Sequence, residues 1–176
     1  MRLKLNLDGL DFELKIEGYK PCEEINDIDC NVSFHLKYCN NIVDYKVTNK
    51  EILTATEIDF LRDFLQLFLD DQMQIDTFYR SSHYDFEFLF YPQREKDADD
   101  NDLEEDPEDN LLDLTLELRT HLWDDNDVLT STCITGFFDR TETEYFYYYL
   151  RLITNELTTN DEKIKEMINN GSLIED

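Results

Sequence analysis

Apolar side chains fall at every second position over the opening stretch of the chain, and that period admits little except β-strand. Leu3, Leu5 and Leu7 alternate with Lys4 and Asn6, and Phe12, Leu14 and Ile16 alternate with Glu13 and Lys15. Asp8-Gly9 lies between the two runs, a dipeptide that tolerates positive φ and closes a tight hairpin. Val32, Phe34, Leu36 and Tyr38 then alternate with Ser33, His35 and Lys37, and Asn40-Asn41 turns the chain into Val43-Asp44-Tyr45-Lys46-Val47. One apolar and one polar face per strand describes an antiparallel sheet covered on one side.

At Thr54 the period changes from 2 to 3.6. Thr54-x-x-Glu57 is a capping box, and Ile58, Leu61, Phe64, Leu65 and Phe68 make one stripe while Arg62, Gln66 and Asp70 face away. This predicts a helix over about 55–71. Alternation returns in Tyr84, Phe86, Phe88 and Phe90, a strand that Pro92 ends, and again from Leu112 through Leu114, Leu116 and Leu118 to Trp123. Asp124-Asp125-Asn126-Asp127 predicts a turn, and Val128 to Phe138 a last strand. Thr141-x-x-Glu144 is a second capping box, opening an aromatic helix from Tyr145 to Ile153 whose tyrosine hydroxyls are expected to reach solvent. Asn160 then caps a tail helix with Ile164, Met167 and Ile168 inward, stopped by Gly171.

The order predicts an α+β domain: an antiparallel β-sheet meander with two main helices packed on one face and a short C-terminal tail helix. A length of 176 residues suits one domain. The expected division is a single α+β domain over 1–157 and a helical tail over 158–176 packed on it.

Charge restricts the function. Forty-two Asp and Glu against sixteen Lys and Arg leave −26, a field that repels nucleic-acid backbones and anionic membranes. Ten of the acids stand between 95 and 109 against one base, which predicts a solvated, mobile acidic loop. The four glycines are at least nine residues apart, so neither a P-loop nor a G-x-G-x-x-G turn can form. Cys22, Cys30, Cys39 and Cys133 lie 8, 9 and 94 residues apart, without the C-x-x-C spacing of a zinc knuckle or redox pair. With no apolar stretch of signal-peptide or membrane-span length, a cytoplasmic protein with reduced thiols is expected.

Catalytic patterns are weak. Among forty-two carboxylates a pair at any spacing is guaranteed, so pairs do not argue for acid–base chemistry. Asp97, Asp99, Asn101 and Glu108 match EF-hand ligand positions, but Asp102 stands where glycine is needed and Pro107 follows. His35, His83 and His121 fit no H-E-x-x-H spacing and are expected on polar strand faces. The expectation is a non-enzyme without cofactor or metal.

The ends of the chain carry a resemblance. Met1-Arg2-Leu3-Lys4-Leu5 through Phe12-Glu13-Leu14-Lys15-Ile16-Glu17-Gly18-Tyr19 resembles the opening hairpin of the WapI-type immunity proteins of Gram-positive bacteria. Leu122-Trp123-Asp124-Asp125, Phe138-Asp139-Arg140-Thr141-Glu142 and the aromatic run from Tyr145 to Ile153 are similar in the same way. The likeness covers about half the chain, which departs from it by the acidic block and by the tail after Leu157. It implies a small acidic cytoplasmic protein that neutralises the toxic domain of a polymorphic toxin. The expected partner is a basic toxin domain of nuclease type, blocked by charge complementarity, with no direct contact to nucleic acid or membrane. Candidate contacts are Asp99, Asp100, Asp102, Glu104, Glu105 and Asp106 in the block and Trp123, Asp124, Asp125 and Asp127 at the turn. There the acids supply charge and the indole an anchor. The alternatives are a DNA mimic that inhibits a defence nuclease, or an enzyme with an acidic metal site.

Overall fold

The computed structural model describes residues 1–21, 28–38, 43–95, 111–123 and 129–175. The chain is α+β with antiparallel strands, as the alternation predicts, but the strands divide between two main sheets. The first contains β1 (Arg2–Leu7), β2 (Leu10–Glu17), β3 (Asp29–Tyr38) and β4 (Val43–Thr54) in sequential order. Asp8 and Gly9 both take positive φ, 51° and 89°, the pair of values a right-twisted two-residue hairpin requires. The inward positions of β1, of β2 and of β3 as far as Leu36 are apolar and buried: Leu3, Leu5, Leu7, Leu10, Phe12, Leu14, Ile16, Cys30, Val32, Phe34 and Leu36; Tyr38, at the end of β3, is exposed.

Strand β4 runs seven residues beyond the predicted Val47. The register with β3 slips between Val32 and Phe34, opposite Lys50 and Val47, and Asn49 sits at φ 52°. A bulge of this kind inserts extra chain and reverses the parity of the faces. Val47 therefore points inward before it and Ile52 after it, and the period-2 pattern breaks although the strand continues.

Thr54 ends β4 and caps α1 (Ala55–Leu69) with both bonds of the capping box formed. The buried stripe is Ala55, Ile58, Leu61, Leu65 and Phe68. Phe64 is half-buried, its ring 5.2 Å from that of Phe90.

The helix parts the two sheets. After it, β5 (Thr77–Arg80), β6 (Phe86–Tyr91), β9 (Thr115–Trp123) and β10 (Leu129–Phe138) form the second sheet in the order β10-β9-β6-β5. Four residues of β5 at the edge are too short to show a period. Tyr84 lies in the turn before β6 at φ 62°, not in the strand. Between β6 and β9 a two-residue ladder, β7 (Arg94–Glu95) with β8 (Leu111–Leu112), closes the base of the acidic block. The strand predicted from Leu112 thus begins at Thr115.

Asp139, not Thr141, caps α2 (Arg140–Ile153). Its carboxylate accepts the Glu142 N–H while the Glu142 side chain reaches back to the Asp139 N–H. Phe138 is fully buried at the end of β10, so the strand leaves the sheet there and the next carboxylate is the one in place. Helix α3 (Glu162–Asn169) starts one residue later than an Asn160 cap would place it, behind Asp161, whose side chain makes no cap bond. It binds the Thr158 N–H and hydroxyl instead. Gly171, at φ 81°, turns the chain into β11 (Leu173–Ile174), which pairs with β1 as a fifth strand of the first sheet. Two residues carry no readable period, and β11 was not foreseen.

The sheets meet directly through Phe34 and Phe86, 4.9 Å between ring centroids, and through Phe12 and Phe138, 5.9 Å. Gly136 of β10 sits against the first hairpin so closely that a Cβ there would stand 2.9 Å from Leu7 Cδ1. The helices fill the rest: Phe64 and Phe68 of α1 pack on Phe90, and Phe146 of α2 lies between Phe88 and Phe138. Tyr149 corrects the expectation of solvent-facing hydroxyls. It is fully buried, and its oxygen accepts the Ile16 N–H at 2.9 Å. Strand β1 pairs with β2 only as far as Leu3 opposite Leu14, so this N–H lies past the end of its neighbour and needs another acceptor.

Candidate protein-binding face

Asp99, Asp100, Asp102, Glu104, Glu105 and Asp106 lie outside the described residues, as do Asp124, Asp125 and Asp127. Trp123 is the last residue of β9, its backbone paired with Leu129; its side chain is outside what the structure describes. The frame that carries these segments is nevertheless defined. The acidic block leaves the β6–β9 connection beyond the pair Tyr91 and Thr115. The Asp turn joins β9 to β10 beyond Trp123. The two segments therefore leave the second sheet at opposite ends of β9, eight residues or roughly 26 Å apart.

Between them lies the outer face of the second sheet. Register sets its side chains in rows. Arg80 of β5, Glu87 of β6, Arg119 of β9 and Thr135 of β10 form one, and Phe78, Leu89, Glu117 and Phe137 the next. Glu87 is 7% and Glu117 5% exposed, a costly environment for carboxylates unless cations and donors compensate. They do: Arg80 directs Nη2 and Nε at one Glu87 oxygen, 2.6 and 3.1 Å. Arg119 Nε bonds Glu117 Oε1, and the Tyr91 hydroxyl donates to Glu117 Oε2 at 2.9 Å. Burial, and then this bond to a carboxylate, push the Tyr91 phenol up from its ordinary value. The carboxylate of Glu117 does the same to the Arg119 guanidinium. The rim is apolar, with Phe78 66% and Phe137 49% exposed.

The arginines of the described surface are engaged in the same way. All seven arginines (Arg2, Arg62, Arg80, Arg94, Arg119, Arg140 and Arg151) lie within ion-pair distance of a carboxylate. Arg62 alone holds Asp59, Asp63 and Glu156. The histidines also stand beside acids: His35 is 2.7 Å from Asp44, His121 3.8 Å from Glu87 and His83 3.9 Å from Asp29. His35 and His121 are on polar strand faces as expected, whereas His83 is in the β5–β6 turn. Among the described residues no three His, Cys, Asp or Glu side chains are grouped to hold a metal ion. Cys30 is buried and Cys133 exposed, both as free thiols. No helix among the described residues is long and apolar enough to cross a membrane.

Sequence reasoning missed this face because its charged members look like ordinary polar positions of alternating strands. The signal was present in the cross-strand complementarity of Arg80, Glu87 and Arg119, which becomes legible once the register is known. Comparison with models of known protein families and with curated proteins gives no match to this chain.

Proposed function

We propose that the protein is a non-catalytic immunity protein that binds and neutralises a basic toxin domain of nuclease type. The observation that carries this reading is the disposition of charge. A surplus of 26 acids is set against arginines that are all engaged with carboxylates. The described surface offers no cluster of uncommitted guanidinium groups to read phosphate, and the surplus field steers cations toward it. The resemblance to WapI-type immunity proteins points the same way.

A standard interface covers about 800 Å² per partner, a patch roughly 30 Å across. The outer face of the second sheet, which spans the two ends of β9 and exposes Phe78 and Phe137, suits a patch of that size.

The reading expects a toxin with a basic C-terminal domain to be encoded beside this protein's gene, and that purified domain is the binding partner for the test. Changing Asp99, Asp100, Asp102, Glu104, Glu105 and Asp106 together to Asn or Gln should lower the association rate and flatten its salt dependence. Trp123→Ala should raise the dissociation rate by the equivalent of roughly 2 kcal/mol, as an anchor does. No binding at low salt, or an unchanged association rate in the six-acid variant, would overturn the reading.

A further inference from the structure

The outer face of the first sheet gathers basic side chains at one place. Register brings Arg2 of β1, Lys15 of β2, His35 of β3 and Lys46 of β4 onto it from four strands. They line an open groove of about 240 Å³ together with Glu13, Ser33 and Thr48. The lining thus holds three permanent cations and one carboxylate, on a chain in which acids outnumber bases by 26.

Arg2 Nη1 bonds Glu13 at 3.1 Å, and Arg2 Nε is buried without an acceptor. Lys15 Nζ is 3.0 Å from Glu17 and His35 Nε2 is 2.7 Å from Asp44, and neither Glu17 nor Asp44 lines the groove. No carboxylate among the described residues lies within ion-pair distance of Lys46, which is exposed. The bulge adds a further donor: Asn49 directs its N–H to Ser33 Oγ at 2.8 Å. With its oxygen accepting there, the Ser33 hydroxyl proton is left to donate elsewhere.

We propose that this groove binds the phosphate group of a small molecule. Arg2, Lys46, Ser33 and Thr48 bring more donors than the four acceptor sites of Glu13 can use, whereas a tetrahedral oxyanion can take them. The surrounding negative field is screened beyond about 8 Å at physiological salt, so it opposes a compact anion weakly. A polyanion such as nucleic acid would leave the groove and meet the acidic surface. The ligand is therefore a single phosphate group, free or as a monoester.

Titration of ¹⁵N-labelled protein with sodium phosphate, and separately with O-phosphoserine, tests this at an ionic strength held constant with sodium chloride. Either probe should give saturable shifts of the Ser33, Thr48 and Asn49 amides. Tighter binding of phosphoserine identifies a monoester site, and binding of phosphate alone a site for the free ion. Loss of one charge-assisted hydrogen bond in Lys46→Gln should raise Kd roughly ten- to a hundredfold, with the melting temperature in chloride unchanged. Lys46→Arg should retain binding, and so should Lys37→Gln, on the same face but outside the groove. Shifts that do not saturate with either probe, an unchanged Kd in Lys46→Gln, or an equal loss in Lys37→Gln would overturn the proposal.

Discussion

Tyr149→Phe removes the hydrogen bond by which α2 serves the backbone of the first sheet. The substitution keeps the ring and its packing, so no cavity opens, and it removes the one oxygen that accepts the Ile16 N–H. Tyr149 is 0% exposed, so water does not replace the lost acceptor. The cost is that of a buried donor left unsatisfied, about 2 kcal/mol within a range of 1–3. For a chain of this size each kcal/mol lowers the melting temperature by roughly 2–4 °C, giving a fall of about 4–8 °C. Urea denaturation measures the free energy, and hydrogen exchange localises it: the Ile16 amide should lose more protection than Phe12 or Leu14. Tyr145→Phe is the control, because that hydroxyl bonds Glu166 and Asn170 at the surface, and it should cost under about 0.5 kcal/mol. A Tyr149→Phe protein as stable as the parent would refute the claim that β2 depends on α2 for this acceptor.

Asp139→Ala should destabilise the fold by about 1 kcal/mol through loss of the α2 cap, while Thr141→Ala, two residues past the cap, should be nearly neutral by urea denaturation. The reverse ranking would restore the cap read from sequence. Burial, and then its hydrogen bond to Asp59, push the Tyr19 phenol up to about 12. Its neutral form is favoured by folding, so its contribution is complete below pH 10 and is lost as pH rises through about 12. Ultraviolet titration should show a late-ionising tyrosine that disappears in Tyr19→Phe; a titration curve identical in the variant would contradict this. Replacing residues 97–106 by a short Gly/Ser linker should leave a cooperative melt, because the β7–β8 ladder already holds the two ends of the block together. A non-cooperative transition would show that the block is integral to the core.

The local period of the sequence was sufficient for each long element, because burial on one side imposes it directly. Leu3, Leu5 and Leu7 can all face a core only as a strand, and Ile58, Leu61, Leu65 and Phe68 only as a helix. It was insufficient where an element is too short for a period, as in β5 and β11, or where a bulge reverses parity, as in β4 after Asn49. It also misplaced the cap of α2, which is Asp139 and not Thr141 because the burial of Phe138 fixes where β10 ends. The candidate contact residues stand in the acidic block and around the β9–β10 turn, where composition alone marks them.

What the sequence alone determined is the α+β class, the sign of the charge and the identity of the main strands and helices, since each depends on neighbours a few residues apart. The partition into two sheets, the Tyr149 bond to Ile16, the Arg80–Glu87–Arg119 row and the cationic groove were decided by tertiary structure. Each of these joins residues from separate strands or helices, and register between such elements depends on how buried surfaces fit together, which no local period encodes.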